Sequence, residues 1–185
     1  MPHTLNIDGV TENAFDLQML VHSSKSFCAK HQIAWGGESP GEFDWEYYFG
    51  WLKSSLCEKL IRSAITLRML QDILAADAMQ ESIDLKSYQD DSVAGIQLGN
   101  IHEGSFRLTL REMCNKIIHA NDTQLDWHDD NGFQWWTGNV YLFGKNRRSE
   151  WKLELNVESF AVAANRYIDL VTNNVDFHHL YKYDT

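Results

Sequence analysis

The feature of this sequence that most constrains its fold is an uninterrupted helical pattern between Phe43 and Ala76. No proline occurs in this stretch, and apolar residues return at helical spacing throughout. The repeating residues are Tyr47, Tyr48, Trp51, Leu52, Leu56, Leu60, Ala64, Leu67, Leu70 and Leu74. Upstream, the segment 39–42 reads Ser-Pro-Gly-Glu, which is a capping box that starts a helix. We predict one long helix, or two helices with a kink near Gly50.

Three further stretches have the apolar spacing of a helix. The first extends from Thr11 to about Lys30, and the second from about Gly104 to Ala120. The third is capped by Asn156. Its predicted buried face consists of Val157, Phe160, Ala161, Ala164, Ile168 and Val171.

Only two stretches have strand character, the segments 140–144 and 151–156. The second alternates apolar and charged residues, which indicates a strand with one buried face. The two should pair as an antiparallel hairpin, whose tip at 145–149 is the densest basic cluster of the chain. The segments 77–99 and 126–132 are polar: the first is interpreted mostly as loop, with one short helix as an alternative, and the second as turn. We therefore predict a mainly α fold, residues 1–185 in a single domain: an antiparallel bundle of about four long helices with one β-hairpin.

Composition narrows the classes of function. The net charge of −10 disfavours non-specific binding to nucleic acid, because phosphates are repelled. The three cysteines are isolated, which indicates neither a disulfide framework nor a zinc site. His128, Asp129 and Asp130 are adjacent, so their side chains diverge and we expect no metal and no cofactor. No apolar run approaches the roughly 20 residues that span a bilayer, so we expect a cytoplasmic protein with no membrane contact.

The helix predicted at 104–120 carries the candidate functional residues. Leu110, Met113, Cys114, Ile117 and Ile118 form its apolar stripe, which should be buried. Arg111, Asn115 and His119 recur every fourth residue on another face, so a guanidinium, an amide and an imidazole follow one line of the helix. The three could act together on one anion. The alternative is a core helix with a solvated polar edge.

The segment 114–119, Cys-Asn-Lys-Ile-Ile-His, resembles the signature of the HEPN superfamily, small helical domains of prokaryotic toxin, defence and RNA-processing systems. The family pattern is an arginine, four to six residues, and then a histidine, often with a polar residue such as asparagine directly after the arginine. Asn115 and His119 match this pattern. Cys114 stands where the arginine would be, and seven residues separate the upstream Arg111 from His119.

The resemblance implies a homodimer in which two motif helices face each other and cleave RNA without a metal. It implies His119 as acid or base, and a histidine with a pKa of about 6.5 can exchange protons at neutral pH. Asn115 would orient the phosphate or the substrate, and Arg111 would have to supply the positive charge that Cys114 lacks.

Two functions follow from these observations. The first is a metal-independent RNA-cleaving or RNA- or nucleotide-binding protein of toxin or defence type, with an antitoxin or other protein as a further partner. The second is a non-catalytic HEPN-like module for dimerisation or partner binding. The acidic charge and the missing arginine favour the second, whereas the alignment of Arg111, Asn115 and His119 favours the first. From the sequence we expect the first function, with the second as the alternative.

Overall fold

A computed structural model describes residues 5–36, 43–76, 84–130, 132–146 and 149–176. Within these residues the chain forms five helices and four strands. In chain order they are α1 (Asp8–His31), α2 (Trp45–Ala76), α3 (Leu85–Ser92), β1 (Gly99–Glu103), α4 (Leu110–Ile118), β2 (Asp122–Asp130), β3 (Phe133–Asn146), β4 (Ser149–Asn156) and α5 (Val157–Asn174).

Helix α2 confirms the prediction of one long helix, and it continues through Gly50. Its buried residues include a seam spaced alternately by four and three residues: Leu56, Leu60, Ser63, Leu67, Leu70 and Leu74. This spacing keeps one side of a helix against its neighbours over many turns. α1 and α4 both pack against α2, and Lys59 of α2 forms an ion pair with Asp16 of α1. The predicted capping box at 39–42 lies outside the described residues.

The four strands form one antiparallel sheet in the order β1-β4-β3-β2. The predicted hairpin is confirmed as β3 and β4, with Val140 opposite Leu155. The prediction of a mainly α bundle with a single hairpin is nevertheless wrong, because β1 and β2 extend the hairpin on both sides. Both are edge strands: β2 buries only Leu125, and β1 is five residues long. Neither has the apolar alternation from which a strand is predicted.

One face of the sheet is buried beneath α1. Trp136, Val140 and Leu142 of β3 point to this face and are almost inaccessible to solvent. The backbone N–H of Trp136 donates to the Ser24 hydroxyl of α1 at 3.0 Å. α5 packs in turn against α1, and its predicted apolar face is fully buried. Its predicted cap is also confirmed, since Asn156 Oδ1 accepts from the N–H of Ser159 at 2.8 Å.

Candidate functional site

Helix α4, which carries the predicted site, is shorter than predicted at both ends. It starts after Thr109, whose hydroxyl caps it by accepting from the N–H of Glu112 at 3.1 Å. The segment 105–108, which was expected to be helical, precedes this cap without regular structure. His119 is the C-cap, so it terminates the helix and is not within it. The predicted apolar stripe is confirmed, since Leu110, Met113, Cys114 and Ile117 are buried; Ile118 is half-buried.

Arg111 is engaged in an ion pair with α2. Its guanidinium donates to Asp72 at 2.6 Å and to the Gln71 side-chain oxygen at 3.4 Å. Arg68 approaches the same Asp72 carboxylate at 3.3 Å. The hydrogen bond from Arg111 holds the pKa of Asp72 below its usual range. Asp72 thus occupies the place at which two guanidinium groups could hold a phosphate.

Asn115 and His119 have separate local surroundings. Asn115 Nδ2 donates to the Glu112 carboxylate at 3.0 Å, and the Asn115 carbonyl accepts from the backbone N–H of His119. The His119 side chain is exposed. In the described parts of the chain, no side-chain contact joins His119 to Arg111 or Asn115. Arg111 and Asn115 lie one turn apart on α4, whereas His119 caps the end of the helix, and the three side chains do not converge on one cleft.

Cys114, at the position of the family arginine, lies entirely in the core. Its side chain is 0% exposed. Burial raises the pKa of its thiol to about 12, so the sulfur is protonated at neutral pH. Among the described residues, four buried side-chain atoms have no hydrogen-bond partner: Ser63 Oγ, Gln71 Nε2, Trp135 Nε1 and the Tyr167 hydroxyl. A substrate could not reach the Cys114 side chain without unpacking this core.

The most unusual surface is the solvent-facing side of α2, which the sequence interpretation missed. Its large apolar side chains, with their exposed fractions, are Tyr47 (70%), Trp51 (49%), Ile61 (44%), Ile65 (42%), Met69 (39%) and Ile73 (38%). Tyr47 and Trp51 were assigned to the single predicted stripe, but they lie on this opposite side. Exposed apolar surface concentrated on one element is typical of an interaction site.

Four of these side chains form a regular row. Ile61, Ile65, Met69 and Ile73 are spaced by four residues, which makes them one ridge on the helix surface. Charged pairs lie beside the row: Glu58 with Arg62 at 2.8 Å, and Arg68 with Asp72. We call these four residues the α2 row. Their four-residue spacing can be read from the sequence, but it was overlooked because the leucine repeat of the same helix is stronger.

The ion pair at Asp72 gives a testable prediction. Asp72→Asn should release Arg68 and Arg111 and increase affinity for a short RNA oligonucleotide, by about threefold to tenfold in low salt. Fluorescence anisotropy measures this, and Asp169→Asn, which removes an exposed carboxylate from α5, is the control. The loss of stability should not exceed about 1 kcal/mol, because Asp72 is more than half exposed. Equal effects of both substitutions would contradict a specific role for Asp72.

The lowered pKa of Asp72 also determines how this residue makes the stability of the fold depend on pH. A carboxylate with a lower pKa in the folded protein stabilises the fold at pH values above its unfolded pKa. That contribution is lost as the pH falls through the lowered pKa. Asp72→Asn should therefore reduce the difference in stability between neutral and acidic pH.

Among the described residues, no group of three or more His, Cys, Asp or Glu side chains is arranged to hold a metal ion. Within the same part of the chain, no helix has the length and apolar character needed to cross a membrane. Comparison of the chain with protein families, curated proteins and solved structures finds no match.

Proposed function

We propose that this protein is a non-catalytic interaction module that self-associates through the α2 row. This is the second of the two functions implied by the sequence. The observation that carries it is the α2 row itself: four apolar side chains, each 38% to 44% exposed, lie in one line on the outer side of a single helix. Contact between these side chains and water is unfavourable. A complex in which a partner covers them is stabilised by roughly 25 cal/mol for each Å² of apolar surface removed from water.

The surroundings of the motif support this function over RNA cleavage. Arg111, the residue that would have to replace the missing family arginine, is neutralised by Asp72. Cys114 is enclosed in the core. With a net charge of −10, the protein also lacks the long-range attraction that brings RNA to a nuclease.

A second copy of the chain fits the α2 row because the row is self-complementary. If two α2 helices cross about a two-fold axis midway between Ile65 and Met69, each Ile65 faces a Met69 of the other copy. Ile61 then lies opposite Ile73. Ridges built from residues four apart pack into each other at a crossing angle of about −50°, the commonest packing of helices in globular proteins. A two-fold interface of this kind uses the same surface on both copies.

The charged pair beside the row leaves the row accessible. The Arg62 side chain is 71% exposed, and among the described residues it pairs with Glu58, one turn away. An exposed pair of this kind is weak, so Arg62 can turn away from the row at little cost when a second copy covers it.

The direct test is the oligomeric state of Ile65→Glu. We expect sedimentation velocity to show a dimer for the unmodified protein and a monomer for the variant, with dimer dissociation favoured at least about 100-fold, because the two-fold axis buries two carboxylates at once. Trp35→Glu is the matched control, since Trp35 is 75% exposed but lies outside α2. A dimer of unchanged stability in Ile65→Glu, or a monomeric unmodified protein at tens of micromolar, contradicts the proposal.

Cross-linking tests the register. Cys57 is the half-exposed cysteine, whereas Cys28 and Cys114 are buried, so Cys57→Ser provides the background. Ile65→Cys and Met69→Cys proteins, mixed and treated with a short thiol-specific cross-linker, should form mixed dimers in preference to dimers of either variant alone. A preference for cross-links between two copies of Ile65→Cys would show that the axis lies elsewhere.

His119→Ala tests the ribonuclease alternative. Because His119 is an exposed C-cap, we expect the substitution to change the free energy of unfolding by no more than about 0.5 kcal/mol. We also expect neither form to cleave RNA in the presence of a chelator. Cleavage by the unmodified protein that His119→Ala abolishes would establish the nuclease and refute the non-catalytic function.

A further inference from the structure

A cavity of about 300 Å³ lies between the C-terminal half of α1 and the start of α2. Its lining residues are Leu20, Ser23, Phe27, Phe43, Tyr47, Tyr48 and Trp51. Tyr48 is almost fully buried and Phe27 half-buried, whereas Tyr47 and Trp51 are exposed. The cavity therefore has a buried floor and an exposed aromatic rim. Its volume matches the lower end of the range for small-molecule sites, about 300 to 1,000 Å³.

The rings of the cavity hold one another in place. Phe27 stacks on Tyr48 with ring centroids 5.4 Å apart, and the edge of Phe43 meets Phe27 at the same distance. The Tyr48 hydroxyl is hydrogen-bonded to Ser24 at 3.1 Å, and Ser24 accepts from the backbone of Trp136 in the sheet. The floor is thereby anchored to the core. A site formed in advance loses little conformational entropy when a ligand binds.

The chemistry of the lining indicates an uncharged ligand. None of the seven described residues that line the cavity is acidic, basic or histidine. Burial raises the pKa of Tyr48, so this phenol stays neutral. A charged group placed among these side chains would lose its hydration without gaining a partner. The Ser23 hydroxyl, which makes only a long bond of 3.5 Å to the Leu20 carbonyl, can still donate to a ligand.

We propose that this cavity binds a small, neutral, ring-containing molecule by stacking and apolar contact, with the Ser23 hydroxyl as its polar contact. The proposal is independent of self-association. Tyr47 lies 20 residues before the centre of the α2 row, which is roughly 30 Å along a helix. A second copy that crosses α2 at that centre therefore leaves the cavity open.

Indole is a suitable probe, because it is a neutral bicyclic ring with one hydrogen-bonding N–H. We expect saturable binding in ligand-observed NMR, with a dissociation constant of about 1 mM or tighter. Indole-3-acetate carries the same ring with a carboxylate and should bind at least about tenfold more weakly, because the described residues of the lining include no cation. Equal binding of both compounds, or no saturable binding of indole, overturns the proposal.

Substitutions that fill the cavity test whether indole binds there. Ser23→Trp places a side chain in the cavity from an exposed position and should abolish indole binding without lowering the Tm. Leu20→Trp fills it from a second side and serves if Ser23→Trp is unstable. Ser26→Trp is the matched control, since Ser26 lies on the same helix but does not line the cavity.

Ile65→Glu should bind indole normally, so a monomeric protein with an intact cavity separates this proposal from the dimer. Indole binding unchanged in both filling variants overturns it.

Discussion

Cys114→Arg, which restores the arginine of the family motif, should lower the free energy of unfolding by about 4 kcal/mol or more. The Cys114 side chain is fully enclosed in the core, so a guanidinium there would be both too large and without a partner. The positive charges of Arg68 and Arg111 already act on the Cys114 thiol, and they would repel another positive group. We expect urea denaturation to show an unfolded or barely folded protein.

The control for this substitution is Cys114→Ala, which removes the thiol without adding charge or volume. It should cost far less stability, because it leaves only a small gap. A stable Cys114→Arg protein would mean that this side of α4 can open to solvent. If that protein also cleaved RNA, the motif would be a nuclease site that needs only its arginine.

Trp136→Ala should lower the free energy of unfolding by about 3 to 5 kcal/mol. Trp136 is the largest fully buried side chain and fills the space between the sheet and α1. Its indole N–H donates to the Asn139 carbonyl at 2.7 Å, and that bond would be lost together with the packing.

Thermal or urea unfolding measures the effect of Trp136→Ala, and Trp35→Ala is the matched control. Trp35 is 75% exposed, so its truncation should change stability by no more than about 0.5 kcal/mol. Similar losses for both tryptophans would show that the sheet does not depend on the contact with α1.

The sequence predicts those elements whose burial produces a regular pattern. α2 and the segments 140–144 and 151–156 of the β3–β4 hairpin were predicted because each buries one side in a regular pattern, whereas the first seven residues of β3, from Phe133 to Asn139, were not assigned to a strand. Residues 126–130 of β2 were interpreted as part of a turn because they are mostly polar and belong to an edge strand. Its pairing with β3, from Asp122 opposite Phe143 to Asp130 opposite Phe133, depends on backbone hydrogen bonds that leave no trace in side-chain periodicity.

The candidate site was predictable only in its local part. The buried face of α4 follows from spacing within the helix, and it was correct. The partner of Arg111 is Asp72, 39 residues earlier, and no local pattern indicates that pair. The α2 row was overlooked for a different reason: one apolar stripe is enough to explain a helix, and a second stripe is recognised as exposed only once the neighbours of the first are known.

The polar composition of β2 has a consequence for how copies of this protein meet. An unpaired strand edge can add a strand from another molecule and start uncontrolled polymerisation. β2 carries Asp122, Asp126, Asp129 and Asp130 along such an edge, and the opposite edge, β1, is only five residues long. Because of these acidic side chains, β2 is not recognised as a strand from the sequence. The same side chains repel a second copy that approaches the edge of β2. Growth into fibres through the sheet is thus disfavoured, whereas the contact proposed for the α2 row would close after two copies.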